Sequence, residues 1–171
     1  GYMNRLGNIH YAQEKYHSAA AYYKAADLED TCFGNDFLRF AYHQVYLDNI
    51  GMCYSKLIMW DSAMYFYNSA LQYINENELR FPLKQDYIKT AKAVVQGNQA
   101  GVFAAHDNFK VAEPLYLQSI AVINTYDNDL TQTWRLELAS LYMSNHLYQR
   151  AEKVLAAVDS SLQSLPSEKI L

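Results

Sequence analysis

Hydrophobic positions follow one repeating pattern, in which small and large apolar residues keep fixed distances from each other. In four segments a small residue is followed twelve positions later by an alanine: Gly7 and Ala19, Gly51 and Ala63, Ala100 and Ala112, Ala139 and Ala151. A large residue comes four positions after each of these alanines, namely Tyr23, Tyr67, Tyr116 and Leu155. Four matches at one offset are not coincidence. The pattern therefore predicts an internal repeat of four similar units.

The four units resemble the tetratricopeptide repeat, whose template places Leu-Gly-x-x-Tyr before Ala-x-x-x-Phe. The second unit matches this template best, through Ile50, Gly51, Tyr54, Ala63 and Tyr67. The first unit departs from it at His10, where tyrosine is usual, and the third at Gln99, where leucine is usual. The resemblance implies that each unit consists of two antiparallel helices, A and B, which cross closely at the small residues.

By this resemblance the chain is expected to be all-α, a right-handed α-solenoid of four tetratricopeptide helix-turn-helix repeats with long helices. A single array is expected over residues 1–171, with repeats at about 2–30, 36–77, 83–126 and 130–164. Residues 165–171 are expected to start a further helix, and the chain is expected to be a fragment of a longer protein.

The spacing between units predicts unusually long helices. Successive template alanines are 44, 49 and 39 residues apart, whereas the common repeat has about 34 residues. Apolar residues continue through 36–55 and 87–95, so we expect longer A helices there rather than loops. Such units resemble those of kinesin light chain, notably at AEPLY in 112–116, and the sensor arrays of bacterial regulators. Within that segment, Pro114 should bend a B helix.

Two aspartates are candidates for the N-caps of B helices. Asp61 and Asp107 each stand close to the predicted start of a B helix, in the second and third units. A short acidic side chain at this position accepts hydrogen bonds from the free backbone N–H groups of the first turn.

Composition and charge exclude several classes of protein. The chain is 51% hydrophobic and 19% charged, so disorder is excluded as the main state. Six glycines and three prolines are too few for a turn-rich β protein. The net charge of −4 disfavours nucleic-acid binding, and no apolar run approaches the ~20 residues that span a bilayer. Cys32 and Cys53 form no ligand motif and leave the compartment open. The expected compartment is the cytoplasm, and the alternative is an extracytoplasmic sensor segment.

No catalytic or metal-binding motif is present in the sequence. HExxH, GxSxG and the phosphate-binding loop are all missing, and the five histidines are scattered one or two to a unit. The paired carboxylates fall in predicted loops, where water would surround them. We therefore expect no enzyme, no catalytic residues, no metal and no cofactor.

The tetratricopeptide resemblance also places a binding groove on the A helices, along the concave face. Counting from the crossing glycine or alanine, the expected groove residues are Asn4, Arg5, Asn8, Asp48, Asn49, Met52, Lys56, Asn98, Gly101, Glu137 and Ser140. Small residues at Gly97 and Gly101 would leave room for a bulky ligand side chain.

Two family patterns differ in how well they fit this groove. Co-chaperone arrays hold a terminal carboxylate with basic residues, but Asn4, Val94 and Asn98 stand at those positions, so this clamp is not expected. Other arrays use an asparagine ladder along a peptide backbone, and Asn49 and Asn98 match it. The alternative is that these asparagines only bridge neighbouring helices.

The resemblance implies a non-catalytic scaffold that binds a protein or an extended peptide, as the interaction or sensor segment of a larger signalling or regulatory protein. The alternative is a structural spacer or a self-association module, which would make the chain a homo-oligomer. No nucleic acid and no direct membrane insertion are expected. Small-molecule sensing would require an enclosed apolar cavity, which open solenoids seldom provide.

Overall fold

The computed structural model describes residues 1–29, 34–124 and 128–163, with the side chains of all of these except 128 and 159–163. These ranges contain eight α-helices and no strand: α1 (Tyr2–Ala12), α2 (Tyr16–Glu29), α3 (Asp36–Lys56), α4 (Trp60–Asn77), α5 (Gln85–Ala105), α6 (Phe109–Ile123), α7 (Asn128–Ser144) and α8 (Tyr148–Gln163). The predicted all-α class is confirmed. Cys32 and the further helix expected in 165–171 lie outside the described residues.

The helices pack in the order in which they follow each other along the chain. α1 pairs with α2, α3 with α4, α5 with α6 and α7 with α8, and each pair also contacts the next. In addition, α3 contacts α5 and α5 contacts α7. These three A helices therefore form one layer, and the candidate site lies on it.

Within each pair the helices cross at the small residues of the repeat. Ala19, Ala63 and Ala112 have no exposed surface. A Cβ atom on Gly51 would lie 2.6 Å from the ring of Tyr67, and Gly7 has the same relation to Tyr23. The glycine of helix A thus makes room for the tyrosine of helix B, and a larger residue there would force the helices apart.

The turn between helices A and B is the same in all four pairs. A residue with φ between 54° and 60° lies seven positions after each small residue: Glu14, Ile58, Asp107 and His146. The N–H of the next residue bonds to a carbonyl five residues back, as from Met59 to Tyr54 at 2.9 Å. This is the Schellman closure of a helix C-terminus, here made without glycine.

The two predicted N-caps are wrong. α4 begins at Trp60 with Met59 at its cap, so Asp61 already lies inside the first turn. The cap of α6 is Asn108, and Asp107 is the left-handed residue of the preceding turn. The turn between helices A and B has three residues, and its third residue is the N-cap of helix B. The cap is therefore Met59 or Asn108 and not one of the two aspartates.

The long A helices are confirmed. α3 and α5 have 21 residues each, compared with 11 in α1. Their additional N-terminal turns join a ring cluster in which Phe40 and Phe81 have centroids 5.0 Å apart, and Phe37 and Tyr87 5.2 Å apart. Aromatic packing between the second and third pairs therefore stabilises the extra length. α6 contains Pro114 and continues past it to Ile123.

Candidate functional site

Two adjoining cavities lie along the A helices. The central cavity, of about 270 Å³, is lined mainly by α3, α5 and α7, with Tyr11 and Tyr67 at its walls. The distal cavity, of about 340 Å³, lies between α5 and α7 and includes Trp60 and Tyr116 from B helices. The two cavities share Ser55, Gly101 and Glu137, and together they are called the groove below.

The structure brings six of the predicted groove residues to these cavities. They are Met52, Lys56, Asn98, Gly101, Glu137 and Ser140. Asp48 is bonded to Asn98 but is itself buried. Four predicted residues line neither cavity, namely Asn4, Arg5, Asn8 and Asn49.

Asp48 is a buried carboxylate held by an asparagine of the next A helix. Its residue is 5% exposed, and the Nδ2 of Asn98 donates to both carboxylate oxygens at 3.0 Å. Burial raises the pKa of Asp48 to about 7, although the Asn98 bond acts in the opposite direction. Among the described residues no cation forms an ion pair with Asp48. Because the Nδ2 of Asn98 donates to Asp48, its Oδ1 remains available to accept a hydrogen bond from a ligand in the central cavity.

The alternative to the asparagine ladder is that the asparagines bridge neighbouring helices. Asn98 of α5 does bond to Asp48 of α3, and it also lines the central cavity. Asn8 differs, because its Oδ1 accepts a bond from the Tyr23 hydroxyl at 2.9 Å within its own pair. Asn49 is half-buried on α3. A two-rung ladder along a peptide stays a prediction.

Glu137 is the acidic group of the groove. Its Oε2 accepts a bond from the Tyr116 hydroxyl at 2.8 Å, while its side chain stays open to solvent. The surrounding cavity walls raise the pKa of Glu137, and the Tyr116 bond and the charge of Lys56 oppose this rise. No described cation lies within ion-pair distance of this carboxylate.

Gly97 and Gly101 of α5 have different surroundings, and the expectation that Gly97 leaves room for a ligand side chain is wrong. A Cβ on Gly97 would lie 2.3 Å from the ring of Trp134, which is 2% exposed. The space above Gly97 therefore belongs to the protein's own tryptophan and not to a ligand. At Gly101 the nearest atom to a Cβ is the Tyr116 hydroxyl at 3.4 Å, so this position is open to the groove.

Three groove residues from B helices were missed in the sequence. Trp60 is the first residue of α4, and Tyr67 and Tyr116 belong to the template cores of α4 and α6. All three were overlooked because the repeat pattern assigns the groove to helix A alone. The signal for Tyr116 was available, since a buried tyrosine hydroxyl needs a hydrogen-bond partner.

The described residues contain neither a metal-binding cluster nor a membrane-spanning helix. No group of three or more histidine, cysteine or acidic side chains there could hold a metal ion. Likewise, none of the described helices is long and apolar enough to cross a membrane. Cys53 is a buried free thiol.

The fold is similar to that of a known repeat protein. No protein-family model matches the sequence, and no curated protein is similar to it by sequence. The crystal structure of BtubC (BKLC) from P. vanneervenii, a kinesin light chain-like tetratricopeptide-repeat protein, matches with a TM-score of 0.75 at 17% identity. The match covers 99% of this chain and 64% of that one, so this chain spans less than two thirds of its length.

Proposed function

We propose that this chain, which has the kinesin light chain-like tetratricopeptide-repeat fold, is a non-catalytic scaffold that binds another protein. The partner contributes an extended peptide segment, which lies in the groove along the A helices. In this proposal the array is the interaction or sensor segment of a larger signalling or regulatory protein.

The observation that carries this proposal is a continuous groove with free hydrogen-bonding capacity. Among the described groups, none bonds to Asn98 Oδ1, Glu137 Oε1 or the Ser140 hydroxyl. An extended peptide presents unpaired N–H and C=O groups, and such side chains can pair with them. Both cavities are open to the surface, which suits a peptide better than an enclosed small molecule.

Filling the groove tests the proposal. Random peptides displayed on phage are selected on the wild-type chain, and the affinity of each selected peptide is measured again on Gly101→Leu. We expect about tenfold or greater loss of affinity, because the new side chain occupies the boundary between the two cavities. The matched control is Ala121→Leu, which adds the same side chain at an exposed position of α6.

The control variant should bind like the wild type, and both variants should melt cooperatively. If Gly101→Leu binds the selected peptides as well as the wild type does, the groove is not the binding site. Failure to select any peptide would also count against the proposal.

Self-association is the second candidate function. Tyr2 and Ile9 of α1 are 70% and 52% exposed, which leaves apolar surface on the first described helix. Sedimentation of the wild-type chain over a range of concentrations separates the candidates. A mass that increases with concentration, together with no selected peptide, would favour self-association.

A further inference from the structure

We infer that the distal cavity receives a lysine or arginine side chain of the bound peptide, with Glu137 as its counter-ion. The inference rests on the proposed function, because it requires a peptide in the groove. It adds the chemistry of the partner, namely an extended segment that carries a basic residue.

The charge of the cavity is the first argument. Among the described residues that line it, Glu137 alone is charged, and the others are hydroxyl-bearing, aromatic or apolar. A carboxylate or phosphate of a ligand would meet repulsion there. A cation would meet attraction, and opposite charges across an interface determine which partners can dock.

The second argument is the unused bonding capacity of Glu137. Tyr116 occupies Oε2, whereas no described donor bonds to Oε1. The walls that surround this carboxylate also make its charge unfavourable. An ammonium or guanidinium group at Oε1 would offset that cost through a charge-assisted hydrogen bond.

The third argument is the shape of the cavity wall. Trp60 lines the cavity, and its ring forms a T-shaped pair with the ring of His106, with centroids 5.7 Å apart and planes at 72°. A guanidinium or ammonium group is attracted to the face of an indole ring. Gly101, Ala104 and Ala105 also line the cavity, and their small side chains leave space for a long side chain of a ligand.

Two further charged groups lie near the groove, and one of them, Lys56, provides a variant that should raise the affinity instead of lowering it. Asp48 lies behind Asn98 without an ion pair, and because burial raises its pKa to about 7, it adds negative potential above that pH. Lys56 lines the central cavity, and its positive charge acts on Glu137. Lys56 therefore competes with a ligand cation, and its removal should strengthen the binding of a basic peptide.

The experiment uses the peptides selected on phage, remade by synthesis and titrated against the whole chain. We expect them to share a lysine or arginine whose replacement by glutamine lowers affinity about tenfold or more. Glu137→Gln should cause a similar loss, and the two losses should not add. Lys56→Gln should raise affinity severalfold.

Glu152→Gln is the matched control, because Glu152 is an exposed glutamate on α8, away from the groove. It should leave affinity unchanged. Glu137→Gln keeps an oxygen that can accept the Tyr116 hydroxyl, so the variant is expected to fold, and circular dichroism checks this.

The possible results distinguish a failure of this inference from a failure of the proposed function. Peptides that lose binding on Gly101→Leu but lack a shared basic residue, or that share an acidic one, would overturn this inference and leave the scaffold function intact. Equal affinities for Glu137→Gln and the wild type would do the same. Peptides that are insensitive to Gly101→Leu would overturn both.

Discussion

At the scale of single residues, Gly97 and Gly101 show how neighbouring glycines acquire different roles. Both lie on the same helix, four positions apart. Gly97 is covered by Trp134 of α7, whereas Gly101 is open to the groove. One glycine therefore serves the packing of α5 against α7, and the other shapes the candidate site.

Alanine at these two positions should have opposite effects on stability. Gly97→Ala places a Cβ 2.3 Å from the Trp134 ring, so we expect a loss of about 1–3 kcal/mol in the free energy of unfolding. Gly101→Ala meets no such contact and should gain up to about 1 kcal/mol, since alanine favours helix. Urea unfolding of both variants measures this, and equal stabilities would contradict the packing assigned to Gly97.

Asp48 should make stability depend on pH. Burial raises its folded pKa to about 7 from an ordinary 3.8, so between these values the folded chain holds a proton that the unfolded chain releases. The free energy of unfolding should therefore fall by at most about 4 kcal/mol as the pH rises from about 4 to about 7, and it should then level off. Asp48→Asn should remove this dependence and be more stable than the wild type at pH 8.

Urea unfolding at several pH values tests the role of Asp48. Asparagine keeps a side-chain oxygen for the Asn98 amide, so packing is retained. Asp86→Asn, at an exposed position of α5, controls for the loss of one negative charge. Wild-type and Asp48→Asn curves that run parallel from pH 4 to pH 8 would rule out the buried carboxylate as the cause.

At the scale of the elements, the turn between helices A and B repeats more exactly than its sequence does. The left-handed residue is glutamate, isoleucine, aspartate or histidine, and never glycine. Ile58 is the least suited of these, because a branched Cβ is crowded in this conformation. Its side chain is 71% exposed, so burial does not compensate.

Replacement of Ile58 should therefore stabilise the chain. Asparagine tolerates the left-handed conformation, and we expect Ile58→Asn to raise the free energy of unfolding by about 1 kcal/mol. Ile58→Val, which keeps the branch at Cβ, should leave stability near that of the wild type. Thermal melts of the two variants provide the measurement, and a lower melting point for Ile58→Asn would show that the turn carries no strain.

The elements also show where the sequence pattern stops being informative. Continued apolar residues in 36–55 predicted a long helix, and α3 confirms it. The N-caps failed because Asp61 and Asp107 favour several turn positions equally well. Only the three-residue closure of the turn decides which residue becomes the cap.

At the scale of the whole molecule, stacking turns four similar helix pairs into one array. Each pair buries only part of its apolar surface, so the next pair completes its core. The same stacking aligns α3, α5 and α7 and creates the groove between them. A single pair would contain Glu137 or Gly101, but not the cavity that both line.

The sequence by itself determined the helical repeat, because the constant twelve-residue spacing between small residues matches the tetratricopeptide template, which implies two helices that cross at those residues. It also determined the length of α3 and α5, through uninterrupted apolar periodicity. Only the tertiary structure decided what surrounds each groove residue. Trp134 covers Gly97, Asn98 reaches Asp48, and Trp60 and Tyr116 enter the groove from B helices. These contacts join different helix pairs, and the pattern within one repeat carries no information about the pair stacked against it.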